Sequence, residues 1–127
     1  MQAWIAVAAG GMIGAVLRYA VVIATTKIVG HGFPYGTLVV NVAGSFLMGS
    51  LVEAMAQSWT ISSELRLFLV VGLLGSFTTF STFSLDVYIL YERQAYAAMS
   101  AYALGSFALS LFGLVVGLSL TRRLMAL

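Results

Sequence analysis

The sequence predicts an all-α integral membrane protein with four transmembrane helices, and three observations support this prediction. Of the 127 residues, 61% are hydrophobic and only 8% are charged, whereas a soluble domain carries about 25% charged residues. The mean hydropathy is +1.05. The apolar residues form four runs, each near the roughly 20 residues that a helix needs to cross the hydrocarbon core. We therefore expect most of the protein surface to face the lipid bilayer.

The first two predicted spans cover residues 3–24 and 36–57. Arg18 interrupts the first span, but a long arginine side chain can extend toward the interface from near a helix end. A glycine-rich loop that contains Pro34, the single proline, separates the two spans. No Lys or Arg precedes the first apolar stretch, so this start is interpreted as a mature membrane segment and not as a cleaved signal peptide.

The third and fourth predicted spans cover residues 66–91 and 95–121. The turn between them carries Glu92 and Arg93, and no charge occurs in the fourth span before Arg122. The connections are too short to hold another domain. Residues 1–127 are therefore predicted to form a single transmembrane domain with both termini on one side of the membrane.

Basic residues are spread almost evenly over the two sides of the predicted bundle, which bears on its orientation. One side holds three arginines, and the other holds one lysine and one arginine with a further arginine nearby: Arg66, Arg122 and Arg123 against Lys27, Arg93 and Arg18. Because a Lys/Arg bias normally sets orientation, we predict that the chain inserts in both directions and pairs antiparallel with itself. The alternative is that a determinant outside the loops selects one orientation.

Composition also excludes several classes of function. The chain has no cysteine, so neither a disulfide framework nor a thiolate metal site is possible. A net charge of +2 without a long basic run does not provide a nucleic-acid surface. The acidic residues lack metal-ligand spacing and no phosphate-binding glycine loop with its lysine is present, so an enzyme is not expected.

The most unusual stretch is residues 72–84 of the third span, which combines two glycines, three threonines and three serines with three phenylalanines. Glycine costs a helix about 1 kcal/mol relative to alanine, and threonine can bond its own backbone. We predict a helix break at bilayer depth, where freed carbonyls are suitable ligands for a hard cation. The alternative is a continuous helix whose hydroxyls bond carbonyls one turn back.

Three side chains are candidates for contact with an anion inside the membrane. Phe80 and Phe83 are three residues apart and share a helix face, and the edge of an aromatic ring carries weak positive potential. Asn41 lies within the second span, where its amide could donate to an anion. The alternatives are plain packing for the phenylalanines and an interhelical hydrogen bond for the asparagine.

Three sequence motifs carry a resemblance to a known family. Residues 78–84 read TTFSTFS, residues 36–41 read GTLVVN and residues 14–19 read GAVLRY. Together with the chain length and the four spans, these motifs resemble those of the Fluc (CrcB) family of bacterial fluoride channels. The resemblance extends over essentially the whole chain, and the TTFSTFS stretch is its most specific part.

The resemblance implies a dual-topology antiparallel homodimer in the bacterial cytoplasmic (inner) membrane, with two pathways for passive F⁻ export that protects against fluoride toxicity. It implies a central structural Na⁺ at the dimer interface, held by the backbone carbonyls of Gly75 and Thr78 in each subunit, and a vestibule position for Arg18. The residues that match pathway positions are Asn41, Phe80, Phe83, Ser110 and Ser106, together with Tyr102, Thr79 and Ser81.

Two positions depart from the family pattern. Ser76 stands where a second glycine is common, and Leu114 stands where a threonine is expected. Two other functions are alternatives, namely a small dual-topology multidrug exporter and a non-transporting accessory subunit. A proton-coupled exporter needs a carboxylate within the membrane, and the first span has none.

Overall fold

The computed structural model describes residues 1–127, and it consists of helices joined by short turns. Three of the spans are single long helices: α1 (Gln2–Val29), α2 (Tyr35–Gln57) and α6 (Tyr96–Met125). The remaining span, Ser63–Glu92, is built from several helical pieces, and all four spans are long and apolar enough to cross a membrane. The all-α, four-span fold predicted from the sequence is confirmed, while the antiparallel dimer stays a prediction.

The third span is interrupted in its middle, as the sequence predicts. Thr78 and Thr79 both have extended backbone, with φ/ψ angles of −83°/159° and −155°/116°, so neither continues a helix. A π-helical stretch lies directly before the break, which is unusual because most π-helices are a single turn. The pieces are α3 (Ser63–Arg66), the π-helix Leu67–Leu74, α4 (Gly75–Phe77) and α5 (Phe80–Glu92).

Helix α1 continues beyond the apolar run 3–24 and ends at Val29. The Gly30 N–H donates to the Thr26 carbonyl at 2.8 Å, and Gly30 has a φ of +85°. That left-handed conformation favours glycine. The end of α1 is thus defined by a glycine cap, five residues after the apolar pattern itself ends.

Close helix packing divides the bundle into two pairs: α1 lies against the third span, and α2 lies against α6. Small residues permit both contacts. A Cβ added at Gly14 would overlap the Leu73 carbonyl, and a Cβ added at Gly117 would overlap the Phe46 carbonyl. Backbones that approach this closely gain van der Waals contact, which drives helix association in lipid. Gly10, one turn before Gly14 in α1, makes the same kind of close contact with the Phe68 carbonyl, so both glycines serve packing within the chain.

An ion pair between a buried glutamate and an exposed arginine joins the carboxyl-terminal parts of α2 and α6. The Glu53 side chain is 5% exposed, and Arg122 contacts it with two nitrogens, Nε to Oε1 at 2.8 Å and Nη2 to Oε2 at 3.0 Å. Gln57 Nε2 also donates to Oε1 at 2.8 Å. Both carboxylate oxygens are therefore bound, and Glu53 serves to hold the two helices together at this end.

Two glycines on α6 provide a matched test of the packing. Gly117→Ala should lower the free energy of unfolding by about 1–3 kcal/mol, because the added methyl group collides with α2 backbone. Gly105→Ala should leave stability unchanged or raise it, because nothing lies within 4 Å of a Cβ at Gly105 and alanine favours helix. Thermal unfolding in detergent measures both, and equal effects of the two variants would contradict the packing described.

Candidate functional site

The helix break is held by the side chain of Asn41, which projects from α2. In a continuous helix the Thr79 N–H would bond the Gly75 carbonyl, but here it donates to Asn41 Oδ1 at 2.8 Å. In return, Asn41 Nδ2 donates to the Thr79 carbonyl at 3.0 Å. The amide thus satisfies both backbone groups of Thr79, which is only 8% exposed. The alternative that the sequence left open for Asn41, an interhelical hydrogen bond, is therefore present, and it joins Asn41 to the broken backbone of the third span.

Helix α5 begins directly after the break with a threonine cap. Thr79 Oγ1 accepts from the Thr82 N–H at 3.1 Å and donates to Thr82 Oγ1 at 3.1 Å, as expected for an N-cap residue. Ser81 Oγ lies 3.3 Å from the same oxygen. The Thr82 N–H is therefore unavailable to the Thr78 carbonyl, its partner in a continuous helix. The last carbonyls before the break therefore lack helical donors, and those of Gly75 and Thr78 are two of them.

These two carbonyls suit a hard cation such as Na⁺, whose preferred ligands are oxygens. Gly75 is exposed and Thr78 is half-buried, so both lie at the surface of the single chain. The chain has no group of three or more His, Cys, Asp or Glu side chains that could hold a metal ion. Two oxygens are too few for a cation site, so a complete site would need the same carbonyls from a second copy.

One cationic side chain already contacts the break. Arg18 Nη1 donates to the Thr78 carbonyl at 3.4 Å. Arg18 is half-buried on α1 and lines neither of the two main cavities. The vestibule position of Arg18 stays a prediction, and the side chain makes its hydrogen bond to the broken backbone.

A central cavity of about 350 Å³ lies between α2, the break and α6, and no charged side chain lines it. Hydroxyl and amide groups form part of its wall, and phenylalanine rings with apolar side chains form the rest. The lining residues are Asn41, Gly44, Ser45, Met48, Thr78, Thr79, Phe80, Phe83, Ser106, Phe107, Ser110, Leu111 and Leu114.

Within this cavity, Ser106 has a buried hydroxyl without a partner. The residue is 4% exposed, and its Oγ atom makes no hydrogen bond to the protein. A buried polar atom without a partner costs about 1–3 kcal/mol, so this hydroxyl is a candidate contact for a group that enters the cavity.

Aromatic rings connect the central cavity with the loop side of the protein. Ring centroids lie 5.5 Å apart for Phe80 and Phe83, 5.3 Å for Phe83 and Tyr102, and 5.5 Å for Tyr102 and Phe33. Tyr102 is 1% exposed, and its hydroxyl donates to Asp86 Oδ2 at 3.0 Å. The pair of Tyr102 and Asp86 therefore joins α6 to α5 beyond the central cavity.

A second cavity, of about 240 Å³, opens at the loop between α1 and α2. Its wall includes the side chains of His31, Asp86 and Arg93 together with four threonines. Phe33 lines this outer cavity and also packs against Tyr102. The two cavities thus lie on opposite sides of the contact between Phe83 and Tyr102.

The structure brings together most of the residues singled out from the sequence. Six of the eight expected pathway residues line the central cavity: Asn41, Thr79, Phe80, Phe83, Ser106 and Ser110. Tyr102 and Ser81 do not line it; Tyr102 lies behind Phe83, and Ser81 contacts Thr79 at the start of α5. Leu114 lines the cavity with an apolar side chain where the family pattern has a threonine.

Sequence reasoning missed Asp86 and Phe33 as members of the site. Asp86 is a carboxylate within the third span, and such residues are functional candidates. No sequence signal marks Phe33, because only the folded loop brings it against Tyr102. Ser76 lies in α4, with its Oγ close to Gly11 of α1.

Comparison with known proteins identifies relatives over nearly the whole chain. The model of the family described as CrcB-like protein, Camphor Resistance (CrcB), matches residues 5–118. A protein of Chelativorans sp. named fluoride-specific ion channel FluC is 54% identical over 116 residues, which cover 91% of this chain and 93% of the relative. Proteins of the same name are 50% identical in Agrobacterium fabrum, covering 93% and 94%, and in Rhodospirillum centenum, covering 99% and 100%.

The hydrogen bonds of Asn41 generate a stability prediction. Asn41→Ala should lower the free energy of unfolding by about 1–3 kcal/mol for each Thr79 group left without a partner. Ser45→Ala, one turn away on the same cavity wall, removes no recorded hydrogen bond and should stay within about 0.5 kcal/mol of the unmodified protein. Thermal unfolding in detergent compares them, and equal stability of the two variants would show that Asn41 does not stabilise the break.

Proposed function

The chain belongs to the CrcB family, and on that premise we propose that it is a fluoride-selective channel through which F⁻ moves passively down its electrochemical gradient. The names of the relatives support this function. The observation that carries it is the central cavity, which offers hydrogen-bond donors and aromatic rings to a small anion without any charged side chain.

The donors of the cavity can replace part of the water around an anion. The Ser106 hydroxyl has no partner in the protein, and Ser110 lies one turn away on the same wall. Asn41 uses one N–H for the Thr79 carbonyl, and its second N–H is available. The donors are compact and neutral, which suits an ion that must be held weakly enough to leave.

The phenylalanines supply a second kind of contact. Phe80 and Phe83 both line the cavity, and ring edges present a positive potential to an anion. Beyond Phe83, the proposed route continues past the Tyr102 hydroxyl toward the outer cavity, which Asp86 and Arg93 line. In this proposal, the aromatic section between the two cavities favours the smallest halide over chloride.

The channel acts as an antiparallel homodimer in this proposal. Phe80 is 79% exposed in the single chain, and a conducted anion cannot face lipid there. A second copy would cover this open side and create two pathways by symmetry. It would also bring two further carbonyls to those of Gly75 and Thr78, so that the four hold a structural Na⁺ at the dimer axis. The bound ion would neutralise carbonyl dipoles that no helical N–H satisfies.

In the cell, the proposed location is the cytoplasmic (inner) membrane of a bacterium. In an acidic environment, HF crosses the bilayer and dissociates in the cytoplasm, and the inside-negative membrane potential drives F⁻ outward. Transport of this kind needs no proton-accepting carboxylate. Two carboxylates within the helices already have partners: Glu53 forms an ion pair with Arg122, and Asp86 accepts a hydrogen bond from Tyr102.

Liposomes that contain only the purified protein test the function. With valinomycin and K⁺ present, F⁻ efflux should be fast and Cl⁻ efflux negligible. Phe80→Ile should reduce F⁻ efflux by at least about ten-fold, equivalent to about 1.4 kcal/mol in the barrier. Phe112→Ile is the matched control, since Phe112 is 67% exposed on α6 and lies outside the cavity. No F⁻ efflux from folded protein would instead favour an accessory membrane subunit.

Ser106→Ala should change stability and transport in opposite directions. Removing a buried hydroxyl that lacks a protein partner should leave the free energy of unfolding unchanged or raise it. The same change removes a donor from the pathway and should reduce F⁻ efflux by about ten-fold. Thermal unfolding and liposome efflux measure the two effects. A variant that is destabilised but conducts normally would assign Ser106 to the fold alone.

A further inference from the structure

Arg18 is a cation within the membrane that has no acidic partner. The ion pair between Arg122 and Glu53 is the one salt bridge in the chain. Arg18 donates its hydrogen bond to the carbonyl of Thr78, which is 60 residues further along the sequence. A charged side chain at bilayer depth is costly and is usually paired with another group. Here the partner is a backbone oxygen freed by the helix break.

The Thr78 carbonyl also needs this contact. Its helical donor, the Thr82 N–H, is bound to Thr79 Oγ1. An unsatisfied backbone group in hydrocarbon costs several kcal/mol. The guanidinium therefore provides this carbonyl with a donor within a single chain. The Gly75 carbonyl, by contrast, also loses its helical donor, the Thr79 N–H, but no side chain donates to it.

The Thr78 carbonyl is at the same time one of the oxygens proposed above to hold Na⁺. We propose that Arg18 is an internal cation that competes with Na⁺ for the Thr78 carbonyl and thereby sets the affinity of the protein for Na⁺. This inference rests on the proposed Na⁺ site of the dimer. Two positive charges that share one carbonyl oxygen lie only several ångströms apart, and in a partly buried setting they repel strongly.

Competition has two consequences for the protein without Na⁺. In the unmodified chain, the Thr78 carbonyl keeps the Arg18 guanidinium as its hydrogen-bond donor. In a chain without the guanidinium, that oxygen has no partner until Na⁺ binds. Neutral substitution of Arg18 should therefore tighten Na⁺ binding and increase the stabilisation that Na⁺ provides, because ligand binding to the folded state adds to its stability.

The experiment titrates Na⁺ into full-length purified protein in detergent, with N-methyl-D-glucamine keeping the ionic strength constant, and follows thermal unfolding. Arg18→Gln should lower the half-saturating Na⁺ concentration by about ten-fold or more and enlarge the rise in Tm between zero and saturating Na⁺. Arg18→Lys, which keeps the charge, and Arg123→Gln, which removes an exposed arginine from the end of α6, should each behave like the unmodified protein.

Arg18→Met repeats the neutral substitution with a side chain that lipid tolerates, in case the glutamine variant does not fold. An unchanged or higher half-saturating concentration in the neutral variants would overturn the proposal. No response to Na⁺ in the unmodified protein would overturn it together with the Na⁺ site. Fluoride efflux measured on the same samples separates these results from the channel function, because F⁻ efflux without any Na⁺ response leaves the channel proposal standing.

Discussion

The paired hydrogen bonds between Asn41 and Thr79 are the interaction on which the rest of the site depends. They supply a donor and an acceptor to backbone that no longer forms helix, at a depth where water is scarce. A broken helix within a bilayer survives only when its backbone groups find such partners. With Thr79 held in place, α5 begins at Phe80, and Phe80 and Phe83 line the cavity.

The break in the third span affects both the side chains that follow it and the backbone carbonyls that precede it. Toward the cavity, the threonine cap of α5 places Phe80 and Phe83 opposite the hydroxyls of α6. Toward the other side, the carbonyls of Gly75 and Thr78 lose their helical donors, and Arg18 reaches one of them. One local interruption thus creates the uncharged cavity wall and also provides the two carbonyl oxygens of the proposed Na⁺ site.

Helix packing determines how these groups meet. Glycines allow α1 to pack against the third span and α2 to pack against α6. The break belongs to the first pair and bonds the second pair through Asn41 of α2. The ion pair of Glu53 and Arg122 holds α2 to α6 at the far end. The cavity walls are therefore carried by rigid helices, which supports precise placement of the few polar groups inside the membrane.

Composition and hydropathy alone determined the membrane class and the four spans, because lipid leaves so few ways to bury a backbone. The glycine- and threonine-rich run determined that the third span breaks, and its phenylalanines marked the cavity wall. Only the tertiary structure decided that the Asn41 amide bonds the break, that the Ser106 hydroxyl has no partner and that Tyr102 bonds Asp86. Those facts depend on contacts between residues far apart in the chain, and no local pattern encodes which hydrogen bonds they form.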